Sequence, residues 1–381
     1  MVPGKMIAWG GQASEQALFW IYSTYFEAET ISTKASKLRH DKANMTCHHK
    51  SPSLTIAIVY ALSLATAFVL NLYLLVPKAV SKLPRSNVQQ IKWRIFSVVA
   101  TFSIALSTYP SFFLECDDVQ DDVNLYNFTA IMSMLQVDRA AFVPVLHVMI
   151  LYLGSFITSL LQLKLAHMTM TTTNQSTASI HNNEKTLSSF ISHRIMQSIR
   201  RPFLNPWQAG RDLFVAPLAE EIIFRVCIIP PFAHSGTMRM GTAAICWLTP
   251  LFFGLAHVHH AATKLKSGGQ WKGVLLGTLF QMTYTMLFGA YASYCFVKLG
   301  SLTGIVLVHS FCNFMGLPNL ALFFVPIQRR ANMRNLEKTM RAFRIVSGVA
   351  YFIGVAGFIA GFRRYVGLFP EQGFLQSSQI Y

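Results

Sequence analysis

Residues Pro217–Arg225 read PLAEEIIFR. Two adjacent carboxylates and a guanidinium sit in a run that is otherwise apolar. A charged side chain near a bilayer centre costs roughly 2.5–3.5 kcal/mol on insertion scales, so Glu220, Glu221 and Arg225 are expected to be paired or functional. The surrounding chain places the run in a membrane. Of the 381 residues 52% are hydrophobic and 13% are charged, and mean hydropathy is +0.40, outside the range of ordinary soluble enzymes. The expected fold is all-α, a polytopic membrane helical bundle of about eight transmembrane helices.

Apolar runs at 53–77, 95–114, 140–161, 213–232, 241–262, 274–297, 301–326 and 345–362 supply those spans. Each is near the length that crosses a core of about 30 Å at about 1.5 Å per residue. Lys78, Lys82, Arg85, Lys92 and Arg94 follow the first run without an acid among them. Arg329, Arg330, Arg334, Lys338, Arg341 and Arg344 follow the seventh against Glu337 alone. Acids collect after the second run, as Glu115, Asp117, Asp118, Asp121, Asp122 and Asp138, together with the acceptor sequon Asn127-Phe128-Thr129. With the basic loops in the cytosol, the N-terminus and the acidic loop face the lumen. The net charge of +16 is read as this topology signal and as contact with anionic lipid. Basic residues form no nucleic-acid motif, and no nucleic-acid partner is expected.

The six cysteines contain no CxxC pair, so neither a disulfide framework nor a cysteine zinc site is signalled. Residues 1–52 form an N-terminal segment of unassigned role, without the order of features of a cleaved signal peptide. Residues 53–366 form the transmembrane unit and 367–381 a C-terminal tail. Within the unit, Met168–Ser189 is polar and reads as a linker. Ser192–Arg211, with its arginines beside Phe203 and Trp207, reads as interfacial.

Two further apolar runs carry polar groups: FFGLAHVHH at 252–260, with His257, His259 and His260, and VLVHSFCNF at 306–314, with His309 and Asn313. The i, i+4 spacing puts Glu221 with Arg225, and His309 with Asn313, on common helix faces. Glu220 points about 100° away from Glu221, which leaves Glu221 to Arg225 and frees Glu220 for chemistry. The helix carrying His309 is expected to break at Gly316-Leu317-Pro318. A carboxylate and a histidine can hold and deprotonate a water, while a second histidine and an amide donate to an oxyanion, a set suited to amide hydrolysis. Other readings stay open on these residues. The charges can be a helix-packing ion pair. Glu220, His257 and His309 can supply a two-histidine, one-carboxylate zinc set, although HExxH is missing. Buried ionisable groups also mark transport paths, although no inverted repeat is visible. Phe252, Phe253 and the other aromatics are read as packing.

AEEIIFR, FFGLAHVHH and HSFCNFMGLP resemble, in spacing and in order, the motifs EExxxR, FxxAHxHH and HxxxN of the type II CAAX prenyl endopeptidase family, a branch of the membrane-embedded glutamate proteases. The resemblance covers about 207–318 well and the earlier spans only in hydropathy. It implies a multi-pass hydrolase of the endoplasmic reticulum membrane with its site open to the cytosol. Such an enzyme removes the C-terminal -aaX tripeptide from farnesylated or geranylgeranylated CaaX proteins such as small GTPases. Carried onto this chain, the resemblance makes Glu220 the general base and has His257 share the attacking water. His309 and Asn313 stabilise the oxyanion, and Glu221, Arg225 and His260 support the site. No cofactor is expected. The alternatives are a zinc-dependent intramembrane protease and, in a different class, a membrane transporter.

Overall fold

Ser53 starts the first long helix: its Oγ accepts the Ile56 amide at 3.3 Å, and α1 (Leu54–Leu74) then runs unbroken for 21 residues. This computed structural model describes residues 47–116, 135, 139–175, 205–236, 240–324 and 334–368. Apart from Cys47 and Cys116 they belong to one compact unit. The expected roles of 1–46, the acidic loop with Asn127, Arg329 and Arg330, and the tail from 369 lie outside the described residues.

The buried residues of α1 are Ala57, Ala61, Ala65 and Phe68, one face on which the three alanines let neighbouring helices approach closely. After a single turn, α2 (Lys78–Ser81), the chain returns as α3 (Val88–Phe113). Asn71 Nδ2 donates to Thr101 Oγ1 at 2.9 Å, and Ser97 Oγ donates to the Asn71 carbonyl at 2.5 Å. Such polar contacts join helices where lipid offers no hydrophobic drive for association. Two three-residue strands, β1 (Cys47–His49) and β2 (Leu114–Cys116), pair beside this hairpin; the other elements among the described residues are helical.

The third apolar run is not one straight span. It forms α4 (Arg139–Leu151) and α5 (Leu153–Gln175), whose apolar parts meet at 56°. The break falls at Tyr152, two residues before Gly154, against which Tyr351 of the last helix closes with no room for a Cβ. Helix α5 also corrects the linker boundary, since 168–175 of the expected tract are helical and 176–189 lie outside the described residues. The last helix, α14 (Arg334–Leu368), is far longer than its apolar run at 345–362.

Among the described residues, five helices are long and apolar enough to cross a membrane, or six with the bent pair taken as one span. The chain is a polytopic membrane helical protein. The difference from the expected eight lies chiefly in the two runs that carry the glutamates and His309. The fourth is composite: α6 (Pro206–Gly210), a π-helical stretch Arg211–Val215, α7 (Ala216–Glu221), a second π-helical stretch Ile222–Cys227, and α8 (Ile229–Ala233). Each residue from Glu221 to Phe232 is buried, so this segment is wrapped by protein and not by lipid. Pro217, Pro230 and Pro231 lack the N–H that a continuous α-ladder needs, which accounts for part of its irregularity. The seventh run forms α12 (Leu302–Met315), ended by Gly316 at φ 65° with Pro318 two residues on. The expected break is therefore where the helix stops, and α13 (Ala321–Phe324) is a separate turn.

Polar contacts secure that stop. Tyr152 donates to the Gly316 carbonyl at 2.8 Å, Asn319 Nδ2 donates to Ser159 Oγ at 3.1 Å and Gln162 Oε1 at 2.8 Å, and Tyr351 donates to the Asn319 carbonyl at 2.8 Å. The fifth and sixth runs form α9 (Thr242–Ala256), α10 (His259–Lys266) and α11 (Trp271–Leu299). Helices α9 and α11 touch through glycines: a Cβ on Gly289 would lie 2.8 Å from Pro250 Cβ, and one on Gly254 would lie 2.9 Å from Met286 Cγ. Gly289→Val is expected to cost about 1–3 kcal/mol by overpacking. A lowered thermal midpoint in detergent checks this, and an unchanged midpoint refutes the close approach.

Candidate active site

The composite segment and α12 lie side by side with their contacts in reversed order, so they run antiparallel. Near one end Asn313 Nδ2 donates to the Asp212 carbonyl at 2.9 Å, and deeper in, His309 meets the two glutamates. His309 Nδ1 lies 2.7 Å from Glu221 Oε1, and its Nε2 lies 3.6 Å from Glu220 Oε2. Adjacent carboxylates thus address opposite nitrogens of one ring. Because Glu221 only accepts, Nδ1 carries the proton in the first contact. The second distance is longer than a hydrogen bond, and a water beside the gap can reach both atoms.

The two glutamates differ in surroundings. The Glu221 side chain is 0% exposed, and its Oε2 lies 3.1 Å from Arg225 Nε, itself 1% exposed. The Glu220 side chain is 17% exposed and makes no close ion pair with an arginine or lysine among the described residues, although Arg225 also feels its charge. The expected Glu221–Arg225 pairing is present at i, i+4. The pair is close but not aligned as a hydrogen bond, and the Arg225 nitrogens lack hydrogen-bond partners among the described residues. Its guanidinium lies instead over the Phe253 ring, 4.9 Å from the centroid.

His257 caps α9, where the helix turns through Val258 into α10. Its Nδ1–H donates to the Phe253 carbonyl at 2.8 Å, which leaves Nε2 as the unprotonated nitrogen of the neutral ring. His260 and His257 have centroids 5.9 Å apart, and His259 and His260 4.0 Å. Among the described residues, no hydrogen bond or ion pair joins His257 to Glu220. Phe253 instead joins His257 to His309: its ring stands edge-on to His257 at 4.8 Å and to His309 at 6.2 Å while carrying Arg225.

Phe253 therefore touches three of the expected site residues, although sequence reasoning gave it only a packing role. Its place one turn before His257 was the available signal. Phe288 of α11, 4.8 Å from the His309 ring, and the Asp212 carbonyl were also missed, the first for lack of a motif and the second because a backbone acceptor leaves no mark in side-chain identity. Asn313 gives one N–H to Asp212 and keeps the other. Among the described residues, no three His, Cys, Asp or Glu groups converge closely enough to hold a metal ion.

The same segments carry the chain's kinship. A family model described as type II CAAX prenyl endopeptidase Rce1-like matches residues 202–315. The Homo sapiens protein CAAX prenyl protease 2 is 31% identical over 277 residues, covering 72% of this chain and 75% of that protein. The chain belongs to the type II CAAX prenyl endopeptidase family. Arabidopsis thaliana CAAX prenyl protease 2 is 29% identical over 273 residues, covering 71% of this endopeptidase-family chain and 83% of the plant protein. A Schizosaccharomyces pombe relative, probable CAAX prenyl protease 2, is 40% identical over 113 residues, covering 29% and 41%. No solved structure matches this family member.

Proposed function

We propose that the protein is a hydrolase of the endoplasmic reticulum membrane that cuts prenylated CaaX proteins, small GTPases among them, and releases the C-terminal tripeptide to the cytosol. The observation that carries this reading is the seating of His309 between two unequal carboxylates, one locked to Arg225 and buried, the other partly open. Family membership and the membrane-spanning helices support it. Glu220 takes a proton from a water shared with His257 as that water attacks the carbonyl carbon of the scissile amide. The tetrahedral oxyanion accepts hydrogen bonds from the His309 ring and from the second amide hydrogen of Asn313. Collapse breaks the C–N bond, and Glu220 returns the proton to the leaving amine. Glu221 and Arg225 hold His309 in place, and His260 flanks His257. Each buried CH₂ of a prenyl chain contributes about 0.8 kcal/mol, which favours a lipidated substrate over a bare peptide.

Purified protein in detergent should release the terminal tripeptide from a farnesylated CaaX peptide. A folded protein that releases none from farnesyl or geranylgeranyl substrates overturns the proposal. In this mechanism the chain's own carboxylate activates the water, so chelators should leave the rate unchanged. Inactivation by a chelator with recovery on adding zinc would transfer that role to a metal.

A further inference from the structure

One aromatic side chain closes a circuit of contacts through the proposed site. The guanidinium of Arg225 lies 4.9 Å over the Phe253 ring, and its Nε is 3.1 Å from Glu221 Oε2. Glu221 Oε1 reaches His309 Nδ1 at 2.7 Å, and the His309 ring returns to Phe253 edge-on at 6.2 Å. A second arm ties His257 to the same residue twice, through Nδ1 to the Phe253 carbonyl at 2.8 Å and ring to ring at 4.8 Å and 80°. Perpendicular ring pairs at such separations, and a cation over a ring, are attractive because the face of the ring is negative and its edge positive. The Arg225 nitrogens have no hydrogen-bond partner among the described residues, so the ring face and Glu221 together set where the guanidinium lies.

Phe253 is itself held in place. The Phe224 ring stands against it at 5.0 Å and 65°, and a Cβ on Gly289 of α11 would come 3.5 Å from Phe253 Cδ1. The ring is 2% exposed, so it acts through its neighbours and not on a substrate. We propose that Phe253 is a positioning residue for the hydrolysis, fixing His257, which shares the attacking water, relative to His309, which donates to the oxyanion. This rests on the proposed function. The two histidines belong to different elements, the end of α9 and the middle of α12, yet must act on one carbonyl group. A misplacement of about 1 Å in such a set can cost about 100-fold in rate. The role requires an aromatic face: an aliphatic side chain fills the space but offers Arg225 no negative surface.

The test replaces first the ring and then only its electrons. Phe253→Leu should lower kcat for a farnesylated CaaX peptide by about 10–100-fold with KM within about twofold of wild type, assayed well below the variant's thermal midpoint. Ring-fluorinated phenylalanines built in at position 253 keep the shape of the side chain while withdrawing negative charge from its face. Across the mono-, di- and trifluorinated series kcat should fall stepwise, by at least about threefold in total. Wild-type kcat in Phe253→Leu overturns the positioning role. Should Phe253→Leu fail to fold, the fluorinated series decides, because a flat series overturns the proposal and reduces Phe253 to packing. A raised KM at unchanged kcat also overturns it, by moving Phe253 to substrate binding. A folded wild-type protein that cleaves no prenylated peptide overturns the proposed function instead.

Discussion

Glu220→Gln should lower turnover by at least about 100-fold, and toward 10⁴-fold, the range contributed by a positioned general base. Gln is isosteric with Glu and keeps an acceptor near His309 Nε2, but it cannot take a proton from water. Because the Glu220 side chain is partly exposed and makes no close ion pair with an arginine or lysine among the described residues, removing its charge should leave the thermal midpoint near that of wild type. Binding of a fluorescent prenylated peptide should also persist. The informative measurement is therefore the pair of turnover and midpoint. Near-normal turnover removes Glu220 from the base role. A collapsed midpoint turns it into a structural residue.

Arg225→Ala should have the largest effect on stability, about 3–5 kcal/mol, because it leaves the buried Glu221 carboxylate without its cation. The same change removes the group stacked on Phe253, whose ring borders His257 and His309. The double variant Glu221→Leu with Arg225→Met separates fold from chemistry. Replacing a buried ion pair by apolar side chains of similar volume is often neutral or stabilising, so the midpoint should recover. Activity should stay low, since His309 Nδ1 then loses the acceptor that orients its ring. Unfolding curves in detergent and peptide turnover read the two effects separately. A wild-type midpoint for Arg225→Ala, or full activity in the double variant, contradicts the assigned positioning role.

The i, i+4 interval between Glu221 and Arg225 is a local property of a helical turn, so their pairing could be read directly. The end of α12 at Gly316 was legible for the same reason, because glycine followed by proline cannot extend a helix. The relation of Glu220 to Glu221 was legible only in part. Helical periodicity points them apart by about 100°, yet both reach His309, because that histidine enters from another helix. Among the described residues the long apolar helices number fewer than the eight expected spans chiefly where apolar character has a different cause. The stretch 221–232 is apolar because protein surrounds it, and hydropathy alone does not distinguish burial in protein from burial in lipid.

By itself the sequence determined the membrane-embedded helical class, the three polar motifs and the pairing of Glu221 with Arg225, because composition and short helical spacing are local. Only the tertiary structure decided that His309 bridges the two glutamates and that Phe253 joins Arg225 to His257 and His309. Those contacts cross 88 and 28 residues of chain, and chain-distant neighbours are set by how helices pack, which no local spacing encodes.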